Sequence, residues 1–338
     1  MRKPVVFITG AAGEIGHALI TRIAKEDRER IVTMDVKPLD HDLRPYVARW
    51  LVGSILDKAA LDRLLAEFEV ETIFHLAALL STRSELVPVT AHQVNVEGTM
   101  NLLEFAQAQA RSHGRQVVFV YPSSIAAYGL PDLAAKNRAG KVAEDQWNKP
   151  ITMYGCNKLY CEHLGRYYAR YYKQLDAEPQ ANRVSFRAIR FPGLISAITV
   201  PSGGTSDYAP EMIHAAAQAE PYACFVRPDA RIPFMAMPDA VDAIMDLTRA
   251  DGARLTRNVY NITAFNPSAE EVREIVLRSF PKADITFRPD LKRQGIVDSW
   301  PADVDDSAAR RDWGFKPRYG FESAFGEYLI PTIRERYR

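Results

Sequence analysis

"ITGAAGEIG", Ile8 to Gly16, is the stretch on which the reading of the fold turns. It closes the apolar run "VVFITG" and opens the helical pattern "EIGHALITRIAKE", so Gly10, Gly13 and Gly16 fall between a strand and a helix at G-x-x-G-x-x-G spacing. The first two glycines let the backbone turn tightly and approach a pyrophosphate. The third admits close packing of helix on strand, and the helix N-terminus presents a positive dipole end. Glu14 and Ile15, in the first helical turn, join this candidate cofactor set. Glycines alone signal only a tight turn; a strand before and a helix behind are the context that a dinucleotide site requires.

Moving outward, "RIVTMD" reads as the second strand and ends in Asp35, about 20 residues past the glycines, where a carboxylate can accept both ribose hydroxyls. A negative charge there repels a 2′-phosphate and no arginine immediately follows, so NAD is expected rather than NADP. The plain alternative is an exposed strand-end residue. "VGSILD" follows the third strand and puts Ser54 and Ile55 where they can flank an adenine. "TIFHLAA" ends in Leu76, Ala77 and Ala78, suited to backbone passage beside a cofactor, while His75 reads as a core or near-cofactor histidine. Asn95, opening "NVEGTMNLLEFAQAQARSHG", is expected to tie neighbouring strand ends together.

"QVVFVYPSS" and "VSFRAIRF" complete a set of runs that are continuously apolar, as buried parallel strands are. Phe191, closing the latter, is assigned to the cofactor set. With helical patterns between the strands, such as "AALDRLLAEFE", the chain reads as α/β with a doubly wound parallel sheet. Beyond Arg190 the rhythm becomes irregular. Residues 1–192 are expected to form the NAD-binding domain, with 232–264 returning to it as a helix and a strand. Residues 193–231 and 265–338 would then build a smaller, interleaved α/β substrate lobe.

Bulk properties narrow the class of partner. Of 338 residues, 47% are apolar and 25% charged, and 43 basic against 42 acidic residues leave a formal charge of +1. Such a chain has no electrostatic footprint for nucleic acid or an anionic membrane. It has no apolar run of about 18 residues, so no membrane-spanning helix is expected. "MRKPVVFITG" enters a strand directly without signal-peptide architecture, and a cytoplasmic protein is expected. Cys156, Cys161 and Cys224 are odd in number and lack metal-ligand spacing, which points to reduced thiols and no metal.

The candidate chemistry lies further along. "MYGCNK" holds Tyr154 and Lys158 four residues apart, on one face if helical. A free phenol with a pKa of about 10 is a poor base at neutral pH, but a lysine cation and a positive nicotinamide nearby would favour the phenolate. Tyr154 could then take a hydroxyl proton while hydride leaves the same carbon for NAD+, with Lys158 also holding the nicotinamide ribose. The pattern is common by chance, so its neighbours matter. "YPSSIAAYG" puts Ser123 and Ser124 at the C-terminal end of a strand, the end where ligands bind in open α/β sheets. Ser124 can orient a substrate oxygen against the phenol; equally, either serine can cap the following turn.

Taken together, "GAAGEIG", Asp35, "HLAA", "PSSIAAYG" and "YGCNK" resemble the extended short-chain dehydrogenase/reductase superfamily, the group containing the UDP-galactose epimerases. The likeness implies that Ser124, Tyr154 and Lys158 carry catalysis. In the C-terminal half, "RFPGLIS", "GGTSDYA", "PFMAMPDA" and "DSWPADVDDSAARRDWGF" are similar to the short-chain type of L-threonine 3-dehydrogenase. That resemblance implies oxidation of L-threonine at C3 by NAD+, with Ser81, Ser123, Ser124, Tyr154, Gly193, Thr205 and Trp300 around the amino acid. It also implies a homodimer through a four-helix interface, formed by "AHQVNVEGTMNLLEFAQ" and "YGCNKLYCEHLGRYYARYY"; the aromatic load of the second could instead be buried within one chain.

Two segments, "PDLAAKNRAGKVAEDQW" and "KQLDAEPQANRV", are longer than the family pattern, and "LLSTRSE" puts Arg83 near the expected pocket, either pairing with a carboxylate or solvated. The alternative functional reading is a UDP-sugar 4-epimerase or related epimerase/dehydratase, weakened by the absence of an asparagine at "RFPG". A third is a nucleotide-sensing scaffold that has lost catalysis, against which stand the intact tyrosine and lysine. "TVPSGGTSDYAP" (199–210) is either a surface turn or a hinged flap whose closure excludes water from the hydride step.

Overall fold

The computed structural model describes residues 3–27, 30–177, 182–201 and 203–338. Residues 178–181 of the second long segment, and Ser202 of the glycine-bearing turn, lie outside the described residues. The main sheet is built from β1 (Lys3–Thr9), β2 (Ile31–Asp35), β3 (Arg49–Val52), β4 (Phe68–His75) and β5 (Val117–Ser124). It is completed, after the short β6 (Lys141–Val142), by β7 (Val184–Phe191). Later come β8 (Gly193–Ile195), β9 (Tyr222–Cys224), β10 (Phe234–Ala236), β11 (Val259–Asn261), β12 (Ile285–Phe287) and β13 (Asp303–Val304).

Seven strands form one sheet in the order β11-β7-β5-β4-β1-β2-β3, and the pairings of β1 with β2 and β4, β2 with β3, and β4 with β5 are parallel. This is the doubly wound α/β sheet the apolar runs predict. Such strands need apolar residues on both faces because helices cover both. Val5, Phe7, Ile73, Phe119 and Phe186 are accordingly buried in one continuous core. Helix Met237–Arg249 leads to β11 at the sheet edge. The carbonyls of Leu247 and Thr248 in its last turn, and of Ala250 just beyond, all accept from Nη1 of the buried Arg187.

Two boundaries differ from the sequence pattern. "AALDRLLAEFE" predicts a helix through Glu69, but helix Lys58–Glu67 passes directly into β4, because Phe68 already pairs with Lys3 of β1. The helix expected to open at Asn95 begins earlier, with Pro88 in the first turn, where its missing N–H costs nothing. Gln93–Glu97 then form one π turn before the α-helix Gly98–His113. The freed Asn95 carbonyl accepts from Thr99 Oγ1 at 2.6 Å and from Cys161 Sγ at 3.2 Å.

The chain divides into two compact units. The first comprises 1–123, 157–189 and 244–259 and contains most of the sheet. The second comprises 124–156, 190–243 and 260–338, with a core that includes Tyr128, Tyr208, Phe234, Trp300 and Phe325. Three two-stranded parallel pairs lie outside the main sheet: β10 with β8, β12 with β9, and β13 with β6. Among the described residues no helix is long and apolar enough to cross a membrane.

Candidate active site

The glycine turn has the geometry its spacing implies. Gly10 has φ +70°, and a Cβ there would lie 2.4 Å from the Ala77 nitrogen, so only glycine lets β1 turn this close to the backbone leaving β4. Leu76 N–H donates to the Thr9 carbonyl at 3.0 Å, fixing the Leu76–Ala78 passage beside that turn. Helix Glu14–Asp27 starts immediately afterwards, with Gly13 and Glu14 exposed at its mouth and Gly16 buried beneath.

Asp35 closes the cradle. One carboxylate oxygen accepts the Ala12 N–H at 3.0 Å and the other the Lys37 N–H at 2.9 Å. The carboxylate is thus pinned beside the glycine turn while remaining partly exposed. An open glycine backbone, a helix N-terminus and a fixed carboxylate at the end of β2 suit an adenosine diphosphate moiety. Ser54 turns the chain after β3, its hydroxyl accepting the Leu56 N–H at 3.2 Å. Ile55 is buried against Gly98, and its carbonyl accepts from Asn101.

Other residues of the expected cofactor set take up supporting positions. Asn95 is buried, its amide receiving the Leu79 N–H at 2.7 Å and donating to the Leu79 carbonyl at 3.0 Å. It ties the loop after β4 to the π turn. His75 lies between the hydroxyls of Thr9 and Thr99, at 2.9 and 2.8 Å. Burial, then the Lys158 charge, lower its pKa to about 3, so it is neutral at physiological pH. Phe191 is buried at the end of β7.

In the second unit, Ser124 and Tyr154 are hydrogen-bonded through their side chains. Ser124 ends β5, and its hydroxyl also accepts the Ala126 N–H at 3.1 Å, capping the short turn Ile125–Ala127. Tyr154 stands in the first turn of helix Met153–Arg170. The following residue permits the approach: a Cβ on Gly155 would lie 2.0 Å from the Ala126 carbonyl oxygen, so the helix start packs directly on the serine's turn. Burial raises the Tyr154 phenol well above its ordinary range, and the Ser124 hydrogen bond draws it partly back.

Lys158, one helical turn on, is buried. Its Nζ donates to the Pro122 carbonyl at 2.6 Å and lies 4.5 Å from the centre of the Tyr121 ring. Burial lowers its pKa to about 8, against the opposing pull of Cys161 and Glu162, so the ammonium form still predominates at neutral pH. Ser123, adjacent to Ser124, points elsewhere: its hydroxyl donates to Glu162 Oε1 at 2.5 Å.

Of the expected substrate residues, Gly193, Thr205 and Trp300 lie in the second unit with Ser124 and Tyr154. Thr205 and Trp300 are buried, and Gly193 faces the Phe234 ring, 2.6 Å from where its Cβ would be. Ser81 and Arg83 lie on the short helix Ser81–Leu86 of the first unit, Ser81 half-buried and Arg83 exposed. No group of three potential metal ligands occurs among the described residues.

Sequence patterns give no hint of Arg293 or Lys136, two basic residues that grip backbone carbonyls in the second unit. Neither belongs to a spacing motif, and their partners are main-chain atoms distant in sequence.

A parallel sheet in this strand order, with a glycine turn behind its first strand and a carboxylate ending its second, defines a dinucleotide-binding enzyme fold. The chain belongs to the NAD dependent epimerase/dehydratase family, whose model matches residues 6–263. An uncharacterized epimerase/dehydratase of Staphylococcus saprophyticus is 34% identical over 330 residues, covering 97% of this chain and 96% of the relative. Among solved structures, an L-threonine dehydrogenase of Clostridium difficile has 30% identity and a TM-score of 0.86, covering 100% of this chain and 99% of the other. The holo form of a GalE-like L-threonine dehydrogenase of Cupriavidus necator has 31% identity and a TM-score of 0.83, covering 99% of this chain and 100% of the other.

Proposed function

We propose that this enzyme oxidises the β-hydroxyl of a small amino acid, L-threonine foremost, giving 2-amino-3-oxobutyrate and NADH. The observation that carries the reading is the Ser124–Tyr154 pair at the end of β5, set in a chain that matches L-threonine dehydrogenases along its whole length. NAD+, when bound, supplies the acceptor for the hydride from C3. Asp35 favours NAD+ over NADP+, because its fixed carboxylate would oppose a 2′-phosphate.

Tyr154 is the base that takes the hydroxyl proton. Its raised pKa in the free protein suits this role only if positive charge arrives with the substrates, and Lys158 on the same helix adds a fixed ammonium. Ser124 is already held by the Ala126 N–H and can orient the reacting oxygen without searching rotamers. Thr205 and Trp300 then bound a pocket for a small zwitterion, residues 193–231 and 265–338 serving as the substrate lobe and 1–192 with 232–264 as the NAD-binding domain.

Purified protein with NAD+ and L-threonine should generate absorbance at the NADH wavelength; silence with threonine, serine and other β-hydroxy amino acids rejects the reading. Tyr154→Phe should abolish turnover while NAD+ binding persists, and a variant keeping most of its activity would remove the base assignment. The curated relative bears the description epimerase/dehydratase, which favours a second reading, a nucleotide-sugar epimerase. That enzyme would bind a UDP-sugar tightly by calorimetry and release no net NADH.

A further inference from the structure

The nine-residue helix Leu291–Ser299 has one end at the turn that carries Thr205 and the other at Trp300. Arg293, in its first turn, lies with its guanidinium 3.1 Å from the centre of the Phe225 ring and donates from Nη2 to the Gly204 carbonyl at 2.7 Å. The same carbonyl accepts the Asp207 N–H at 3.1 Å, and the Asp207 carboxylate accepts the Gly204 N–H at 2.6 Å. The turn on which buried Thr205 sits is therefore closed by its own hydrogen bonds and fastened to the helix by one guanidinium.

The other end is held as firmly. Trp300 N–H donates to the Val297 carbonyl, which also accepts Lys136 Nζ at 2.8 Å. Leu130 N–H donates to the Ser299 carbonyl at 2.8 Å, and just beyond Trp300 the strand β13 pairs with β6. Trp300 is thus clamped on both sides by residues 130–142.

We propose that Arg293 is a positioning residue for the substrate: through this helix it fixes the Thr205 turn relative to Trp300, so that the two walls of the amino-acid pocket move as one. The proposal rests on the amino-acid dehydrogenase reading for the identity of the substrate. A planar guanidinium suits the task, because its face stacks on Phe225 while its edge donates to the carbonyl. A lysine can supply the donor but not the stacked plane.

Arg293→Met keeps the aliphatic stem and removes the donor. It should raise the KM for L-threonine by about tenfold, the cost of roughly one lost hydrogen bond, with kcat and the KM for NAD+ nearly unchanged. Arg293→Lys should recover part of the loss. A threonine KM that does not move, or KM values for threonine and NAD+ that rise in step, overturns the assignment. Hydrogen exchange on the same variants needs no substrate. In Arg293→Met the amides of Asp207 and Trp300 should both exchange faster than in wild type, and unchanged protection at Trp300 refutes the mechanical link. Should wild type fail to oxidise threonine, the exchange result still decides the link while the substrate reading falls by itself.

Discussion

Ser124 uses one oxygen for two purposes. The sequence leaves it open whether this serine caps a turn or serves chemistry; in the structure the cap and a hydrogen bond to Tyr154 share the one hydroxyl. The Ala126 N–H fixes the hydroxyl, and the fixed hydroxyl meets Tyr154. Because that hydrogen bond opposes the upward push of burial, Ser124→Ala should leave the Tyr154 phenol still harder to ionise. The rising limb of the pH–kcat/KM profile should move to higher pH in this variant, and a limb that stays put would show that Ser124 does not tune the base. Positions set by local chain geometry were legible in this way: the turn conformation of Gly10, φ +70°, and the strand-end place of Asp35 follow from spacing alone. Arg293 was not legible, since its partners, Gly204 and Phe225, are brought to it only by the fold.

Among the elements, the segment "PDLAAKNRAGKVAEDQW", longer than the family pattern, is ordered structure. It forms helix Leu133–Ala139, N-capped by Asp132, and then β6, which pairs with β13. Its periodicity is weak since its partners are mostly main-chain atoms rather than an apolar face. Within it Lys136 is buried, and burial lowers its pKa from the ordinary 10.5 to about 8. The unfolded chain therefore binds the extra proton between about pH 8 and 10.5, where the folded protein has released it, and linkage makes stability rise with pH across that window. Chemical denaturation of wild type and Lys136→Met should show wild type gaining on the variant by on the order of 2 kcal/mol over this range. A constant difference would mean that burial does not lower the Lys136 pKa. The main-sheet strands, by contrast, announce themselves through uninterrupted apolar runs that no exposed element could tolerate.

For the whole molecule, the exposed aromatic surface bears on self-association. On helix Met153–Arg170 and the turn after it, Tyr168 is 4% exposed, whereas Tyr160, Tyr167 and Tyr171 are 53%, 39% and 41% exposed. The aromatic stripe thus divides between the core and the outside, which a sequence reading cannot apportion because both faces are equally aromatic. Exposed tyrosines favour the homodimer that the resemblance suggests. Light scattering should give twice the 38.0 kDa of one chain, with Tyr160→Glu shifting the protein toward the monomer. Monomeric wild type at micromolar concentration would remove the dimer.

The pairing of β6 with β13 joins residues 141–142 to 303–304, and the core around Tyr128 and Val142 is completed by Phe325, Leu329 and Ile333. During synthesis, β1 to β5 emerge early and can pair at once, but the surroundings of Tyr154 must wait for nearly the whole remaining chain. A ribosome thus carries, for much of translation, a nascent chain whose first five strands are ready while Tyr154 still lacks its packing partners. Apolar residues such as Ile195, Met212 and Phe234 wait over that interval for their core partners, and uncovered apolar surface of this kind is what makes a nascent chain aggregation-prone.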